Sequence, residues 1–204
     1  MLDGLARRAI DPAMNHAGAW LARRGVEADT ITLVGLGFGL LSAAILAIGA
    51  PGAMALVPLL FSRLMDGLDG AVARATQKTD FGGLLDIVSD FAFYGAIPLA
   101  FVLRDTGENG VAGAFLLFCF YVNGASFLAY ATMAAKNGME TTDRGEKSLY
   151  FTAGLLEGTE TILFFVLICL FPVLFPFLAW IFGLLCLVTA AARVMLAWQT
   201  FDLD

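Results

Sequence analysis

Four aspartates form the densest set of chemically capable side chains in the sequence. Asp66 and Asp69 are three residues apart, and Asp86 and Asp90 are four apart. On helices these spacings put each pair on one face. The intervening stretch is short, so the two helix ends meet as a hairpin and the four carboxylates face one cleft. Carboxylates cannot remain ionised side by side in a partly apolar setting without compensation. Hard divalent cations with a preference for oxygen ligands, Mg²⁺ or Mn²⁺, remove the conflict. One or two such ions would bind a diphosphate, polarise its phosphorus and stabilise a leaving phosphate. Gly70 and Ala73 continue the Asp66–Asp69 face almost without side chains, which leaves room for a bulky ligand. Arg74 adds a fork of donors suited to phosphate oxygens.

The elements that must position these residues follow from composition. The chain has 204 residues, of which 59% are hydrophobic and only 15% charged. A soluble domain of this length has too little interior for that much apolar surface. The fold class is therefore all-α integral membrane: six transmembrane helices preceded by an amphipathic interfacial helix. Stretches long enough to cross the hydrocarbon core run from Ile31 to Ala50, from just after Pro51-Gly52 to Arg74, Gly82 to Val102, Val111 to Ala135, Leu149 to Phe171 and Val173 to Trp198. The whole chain, 1–204, reads as a single membrane domain, with a surface helix over 1–24 and a six-helix core over 31–198. Residues 1–24 lack the short apolar run and small-residue cleavage site of a signal peptide.

Charge bias sets the orientation. Arg7, Arg8, Arg23, Arg24, Arg74, Lys78, Lys136, Arg144, Lys147 and Arg193 gather on one side, and Arg104 stands on the other. Both termini and the loops 75–81 and 136–148 are expected to be cytoplasmic. The net charge of −6 and the lack of a basic stripe argue against a nucleic-acid partner. Cys119, Cys169 and Cys186 lie in apolar stretches and read as small buried fillers, not a disulfide scaffold. Gly35, Gly37 and Gly39 follow no strand, so they suit close helix packing rather than a nucleotide loop. His16, the single histidine, reads as interfacial.

The pattern Asp66-x2-Asp69-Gly70-x2-Ala73-Arg74-x7-Gly82-x3-Asp86-x3-Asp90 resembles the full signature of the CDP-alcohol phosphotransferases. The segments LVGLGFGLLS, LDGLDGA, SFLAYATMAAK and LLEGTETILFFVL resemble a bacterial inner-membrane branch of that family. The resemblance implies that Asp66, Asp69 and Asp86 ligate metal. Asp90 would contact a second metal and act as general base. It further implies that Asp66, Gly70, Ala73 and Arg74 hold the CDP part, and that Gly82 lets its helix approach the nucleotide. Where the family has an Asn before a Thr, this chain has Asp29-Thr30. Asp29 is therefore either a cytidine contact or a helix cap.

The implied reaction is transfer of a phosphatidyl group from CDP-diacylglycerol to an alcohol acceptor, with release of CMP, in phospholipid biosynthesis at the bacterial inner membrane. Transfer from CDP-choline or CDP-ethanolamine to diacylglycerol is the alternative, and a non-catalytic membrane transporter is a second one. Phe91 stands where the glycerol-phosphate branch has a Lys, and Ile87 where the serine branch has a Ser, which weakens both acceptors. Candidate acceptor or lipid-phosphate residues are Arg63, Arg144, Lys147, Glu157, Glu160 and Arg193. Arg63 could instead pair with an acid, Arg144 and Lys147 could mark only the cytoplasmic face, and the two glutamates could bond Arg193 or neighbouring hydroxyls. A homodimer is expected from the resemblance and from small-residue faces such as Gly35 and Gly39.

Overall fold

The computed structural model describes residues 3–139, 156 and 158–201. Every regular element among them is helical: α1 (Asp3–Arg23), α2 (Ala28–Ala47), α3 (Gly52–Ala75), α4 (Asp80–Arg104), α5 (Thr106–Lys136), α6 (Gly158–Leu170) and α7 (Phe175–Phe201), with a short 3₁₀ turn at Pro172–Leu174. Arg144, Lys147 and Glu157 lie outside the described residues.

Among the described residues, four helices are long and apolar enough to cross a membrane: α2, α4, α5 and α7, the last counted with its preceding turn. The other two differ from expectation for separate reasons. α3 has 24 residues, but Arg63, Asp66, Asp69 and Arg74 interrupt its apolar character. α6 is described over only 13 residues.

Local chemistry explains where the helices begin and end. Thr79 caps α4, its hydroxyl accepting from Gly82 N–H at 3.0 Å. Asp105 caps α5 by accepting from Glu108 N–H at 3.1 Å. Both helices therefore begin a few residues earlier than hydropathy alone suggests. Gly25 and Gly49 follow the last turns of α1 and α2, and their φ values of 76° and 80° suit only glycine at little cost. There the next residue's N–H reaches back: Val26 to Leu21 O at 3.2 Å, and Ala50 to Ile45 O at 3.3 Å.

Tight turns make α2, α3 and α4 an alternating set, in which α2 packs on both α3 and α4. Close approach depends on glycines. A Cβ at Gly35 would lie 3.0 Å from Met65 Cβ, and one at Gly39 would lie 2.6 Å from Phe93. The packing role fails for Gly37, which is exposed and where a Cβ would meet nothing within 4 Å, but holds for Gly35 and Gly39. Both are consumed inside the chain, however, so they do not form an outward dimer face. α5 pairs with α7 and joins the first group through α4, while α6 touches α3.

The core concentrates at one end of the bundle, where α2, α4 and α6 finish and α3, α5 and α7 start. Leu46, Leu59, Phe101, Leu116, Phe165, Ile168 and Phe175 are fully buried there. Phe101 stacks on Phe175 with centroids 4.4 Å apart, and Phe93 meets Phe165 edge-on at 5.6 Å. The three cysteines are buried and free, as expected. Arg104 donates to Ala50 O at 2.7 Å and so satisfies an otherwise open carbonyl past the end of α2. That contact accounts for the lone cation on the side opposite the basic residues.

Candidate active site

The acidic residues occupy the opposite end, on the C-terminal half of α3 and the N-terminal half of α4. The four-residue connection 76–79 turns the chain back on itself and brings these halves together. Asp66, Asp69 and Asp86 each offer a carboxylate oxygen within 4.8 Å of the others. Asp69 is the most enclosed, at 6% exposure. Its Oδ2 accepts from the Thr32 hydroxyl at 2.7 Å, so α2 fixes its orientation. Three hard oxygen donors this close suit a small divalent cation. The donor set thus fits the metal expected from sequence.

The fourth carboxylate is placed differently. Asp90 does not join the trio; its Oδ1 accepts from Arg63 Nη1 at 2.8 Å. The same nitrogen lies 3.6 Å from Asp66 Oδ1. Of the two sequence readings of Arg63, the structure realises the acid pairing. Four carboxylates in one cleft are therefore three that converge and one held aside by an arginine.

Around this centre, Gly70 and Gly82 make space. A Cβ at Gly70 would lie 3.3 Å from an Arg74 guanidinium nitrogen. One at Gly82 would lie 3.0 Å from Asp29 Oδ1 and 3.0 Å from Thr79 Oγ1. Asp29 stands in the first turn of α2, and the residue at the cap is Glu27. The cap reading of Asp29 is thus corrected, and its carboxylate lies beside Gly82 at the acidic end. Ala73 is half-buried on the same helix. Arg74 is exposed, and Asn15 Oδ1 on α1 accepts from its Nη2 at 2.8 Å and its Nε at 3.3 Å. Gly18, one turn further along α1, permits that docking: a Cβ there would lie 2.6 Å from Ala71 Cβ.

Of the acceptor candidates, Arg63, Glu160 and Arg193 are among the described residues. Arg193 on α7 donates to Asn123 O at 3.0 Å, Asn123 Oδ1 at 3.1 Å and Ser126 Oγ at 2.6 Å, all on α5. Glu160 is half-buried in the first turn of α6. That turn approaches the acidic end, since a Cβ at Gly158 would lie 3.6 Å from the Tyr94 hydroxyl, one helical turn after Asp90. Sequence reasoning missed Thr32 and Asn15. Neither carries a local signal, because each meets its partner only through helix packing.

Residues 26–197 match the CDP-alcohol phosphatidyltransferase family. The chain belongs to this family. It is 46% identical over 200 residues to the inner membrane protein YnjF of Escherichia coli, covering 98% of this chain and 97% of that protein. It is 31% identical over 128 residues to a phosphatidylinositol phosphate synthase of Streptomyces avermitilis, covering 58% of this chain and 50% of that one. The fold is similar to the crystal structure of Mycobacterium tuberculosis phosphatidylinositol phosphate synthase (PgsA1) with CDP-DAG bound. That match has a TM-score of 0.73 and 20% identity, covering 94% of this chain and 96% of the other.

Proposed function

We propose that this family member is a divalent-metal-dependent enzyme. It transfers the phosphatidyl group of CDP-diacylglycerol to the hydroxyl of an alcohol and releases CMP. The observation that carries this reading is the convergence of Asp66, Asp69 and Asp86 within 4.8 Å, at the spacing of the family's signature. These three carboxylates would hold Mg²⁺ or Mn²⁺, with a second ion implied by the resemblance. When bound, the metal supplies positive charge to the diphosphate and to the leaving CMP. Arg74, oriented by Asn15, offers its remaining donors to the diphosphate. Gly70, Ala73 and Gly82 leave the nucleotide room, and Asp29 beside Gly82 is a candidate cytidine contact. Asp90 accepts the acceptor hydroxyl's proton. The hydroxyl oxygen forms the new bond to phosphorus. The bond from phosphorus to the CMP oxygen breaks, and CMP leaves with that electron pair.

The PgsA1 likeness, to a protein with CDP-DAG bound, favours a CDP-lipid donor over CDP-choline or CDP-ethanolamine. For the acceptor, Arg63 and Arg193 are already engaged within the chain and Arg74 is committed to the donor. With these three arginines so engaged, a neutral or zwitterionic alcohol is the favoured acceptor. The partial likeness to a phosphatidylinositol phosphate synthase supports a phosphorylated acceptor as the second reading. The same proposal includes six membrane crossings, both termini cytoplasmic, one membrane domain and location in a bacterial inner membrane. The charge bias and the likeness to YnjF support it. A homodimer is included on the family resemblance.

Purified protein incubated with CDP-diacylglycerol, Mg²⁺ and a panel of glycerol, serine, inositol, glycerol 3-phosphate and inositol phosphate tests the reading by mass spectrometry. CMP release with an unphosphorylated acceptor is the expected result. Preference for a phosphorylated acceptor would select the second reading. No CMP with any acceptor, but diacylglycerol consumption with CDP-choline or CDP-ethanolamine, would replace the donor; neither activity would favour a non-catalytic transporter.

A further inference from the structure

Arg63 is built into the bundle in a way that a surface cation is not. Its side chain is 15% exposed. The guanidinium carbon lies 4.1 Å over the centroid of the Phe93 ring and 5.9 Å from that of Tyr94. Nη1 bonds Asp90 at 2.8 Å, and Nη2 donates to Ser62 Oγ at 3.1 Å. Phe93 is fully buried and wedged against Phe165, so the aromatic floor is rigid. A carboxylate, a ring face and a hydroxyl thus fix the guanidinium in one place and one plane.

This placement separates Asp90 from the other three carboxylates. Asp90 lies one turn beyond Asp86 on α4, close enough in sequence to share the same cation. Arg63 lies one turn before Asp66 on α3, so its Nη1 stands between the Asp90 pair and the trio, 3.6 Å from Asp66. A fixed positive charge there acts on both neighbours. It holds the Asp90 carboxylate, and it weakens the field that the trio presents to a divalent ion.

We propose that Arg63 is a positioning residue that keeps Asp90 out of the cation-binding trio, leaving that carboxylate for the acceptor hydroxyl. The proposal rests on the transferase reading for Asp90's partner, but its signature in metal binding does not. Removing the charge has opposite effects on two measurements. The trio binds its cation more tightly, while turnover falls because Asp90 is no longer held. An arginine that served only to hold the helices together would weaken both.

The experiment is Mn²⁺ titration of the detergent-purified full chain, followed by electron paramagnetic resonance of the free ion, with no CDP-lipid present. Arg63→Gln is expected to bind Mn²⁺ roughly threefold or more tightly than the unmodified chain. Its kcat falls at least about tenfold with little change in KM for CDP-diacylglycerol. Arg63→Lys, which keeps the charge, is expected to retain the original Mn²⁺ affinity and recover part of kcat. Equal or weaker Mn²⁺ binding by Arg63→Gln would overturn the proposal. If that variant does not fold, the double variant Arg63→Gln/Asp90→Asn removes both charges of the pair and takes its place. It is expected to bind the first Mn²⁺, held by the trio, at least as tightly as the unmodified chain, and a clear loss of affinity for that first ion would show that Asp90 belongs to the trio's site. Absence of CMP release by the unmodified chain would instead sink the transferase reading and leave the Mn²⁺ comparison standing.

Discussion

The two ends of the bundle are built on opposite terms, although the same helices supply both. At one end, Leu59 of α3 and Phe101 of α4 are fully buried among aromatic and aliphatic partners. The polar atoms there are neutralised by single bonds, as Arg104 does for Ala50 O and Asn109 for Phe101 O at 2.8 Å. At the other end, seven residues or about 10 Å further along α3, Asp66 stands half-exposed beside two further carboxylates. Like charges at that end oppose folding, and dense packing at the far end offsets them. Phe93 marks the border: one side of its surroundings is the Phe165 ring, and the other is the Arg63 guanidinium. Stability and chemistry are therefore separated along the helix axes, and substitutions at the two ends should fail in different ways.

The sharpest break of that separation is Asp69→Asn. Asp69 belongs to the carboxylate trio and contributes nothing to the apolar core. Loss of its charge should reduce CMP release by at least about a hundredfold, with an unfolding temperature in detergent no lower than the parent's. Near-normal turnover at saturating Mg²⁺ would remove Asp69 from the metal site. The mirror experiment is Phe165→Ala at the far end. Deleting a fully buried ring that meets Phe93, Phe120 and Phe164 should destabilise the fold by about 3–5 kcal/mol. The fraction that remains folded, assayed well below its midpoint, should keep Mn²⁺ affinity within about threefold of the parent's, since the ring makes no contact with the trio. A large loss of Mn²⁺ affinity would show that the two ends are coupled through Phe93.

How much of this could be read in advance differs between the ends as well. Hydropathy located the helices α2, α4, α5 and α7 because an apolar stretch of that length has few other uses. It misplaced their starts at Asp80 and Thr106, where caps and not hydrophobicity decide. The positions of Asp66, Asp69 and Asp86 were legible because helical spacing and a short hairpin are local facts. The separate state of Asp90 was not, since it depends on how α3 and α4 turn relative to each other and so on whether Arg63 reaches it. Gly35 and Gly39 illustrate the same limit. Their small size announces close packing, but only the assembled bundle reveals that the partners are Met65 and Phe93 of the same chain. Thr32 and Asn15 are invisible to pattern reading, for each acts across a contact between helices distant in sequence.

Asn15 yields the smallest expected effect and the most specific one. It lies on α1, outside the helices that carry the carboxylates, and its one described role is to accept two bonds from Arg74. The guanidinium keeps its charge without this partner and can still reach a diphosphate, so the chemistry survives. The cost is orientation: a long exposed side chain must be ordered on binding instead of beforehand. Asn15→Ala should therefore raise KM for CDP-diacylglycerol by about three- to tenfold, leave kcat nearly constant, and leave Mn²⁺ binding to the trio unaltered. Arg74→Ala, which removes the donor itself, should produce a larger KM effect, and adding Asn15→Ala to it should change little further, because the two act as one unit. If Asn15→Ala instead lowered kcat with KM unchanged, α1 would be acting on the transition state and not on donor capture.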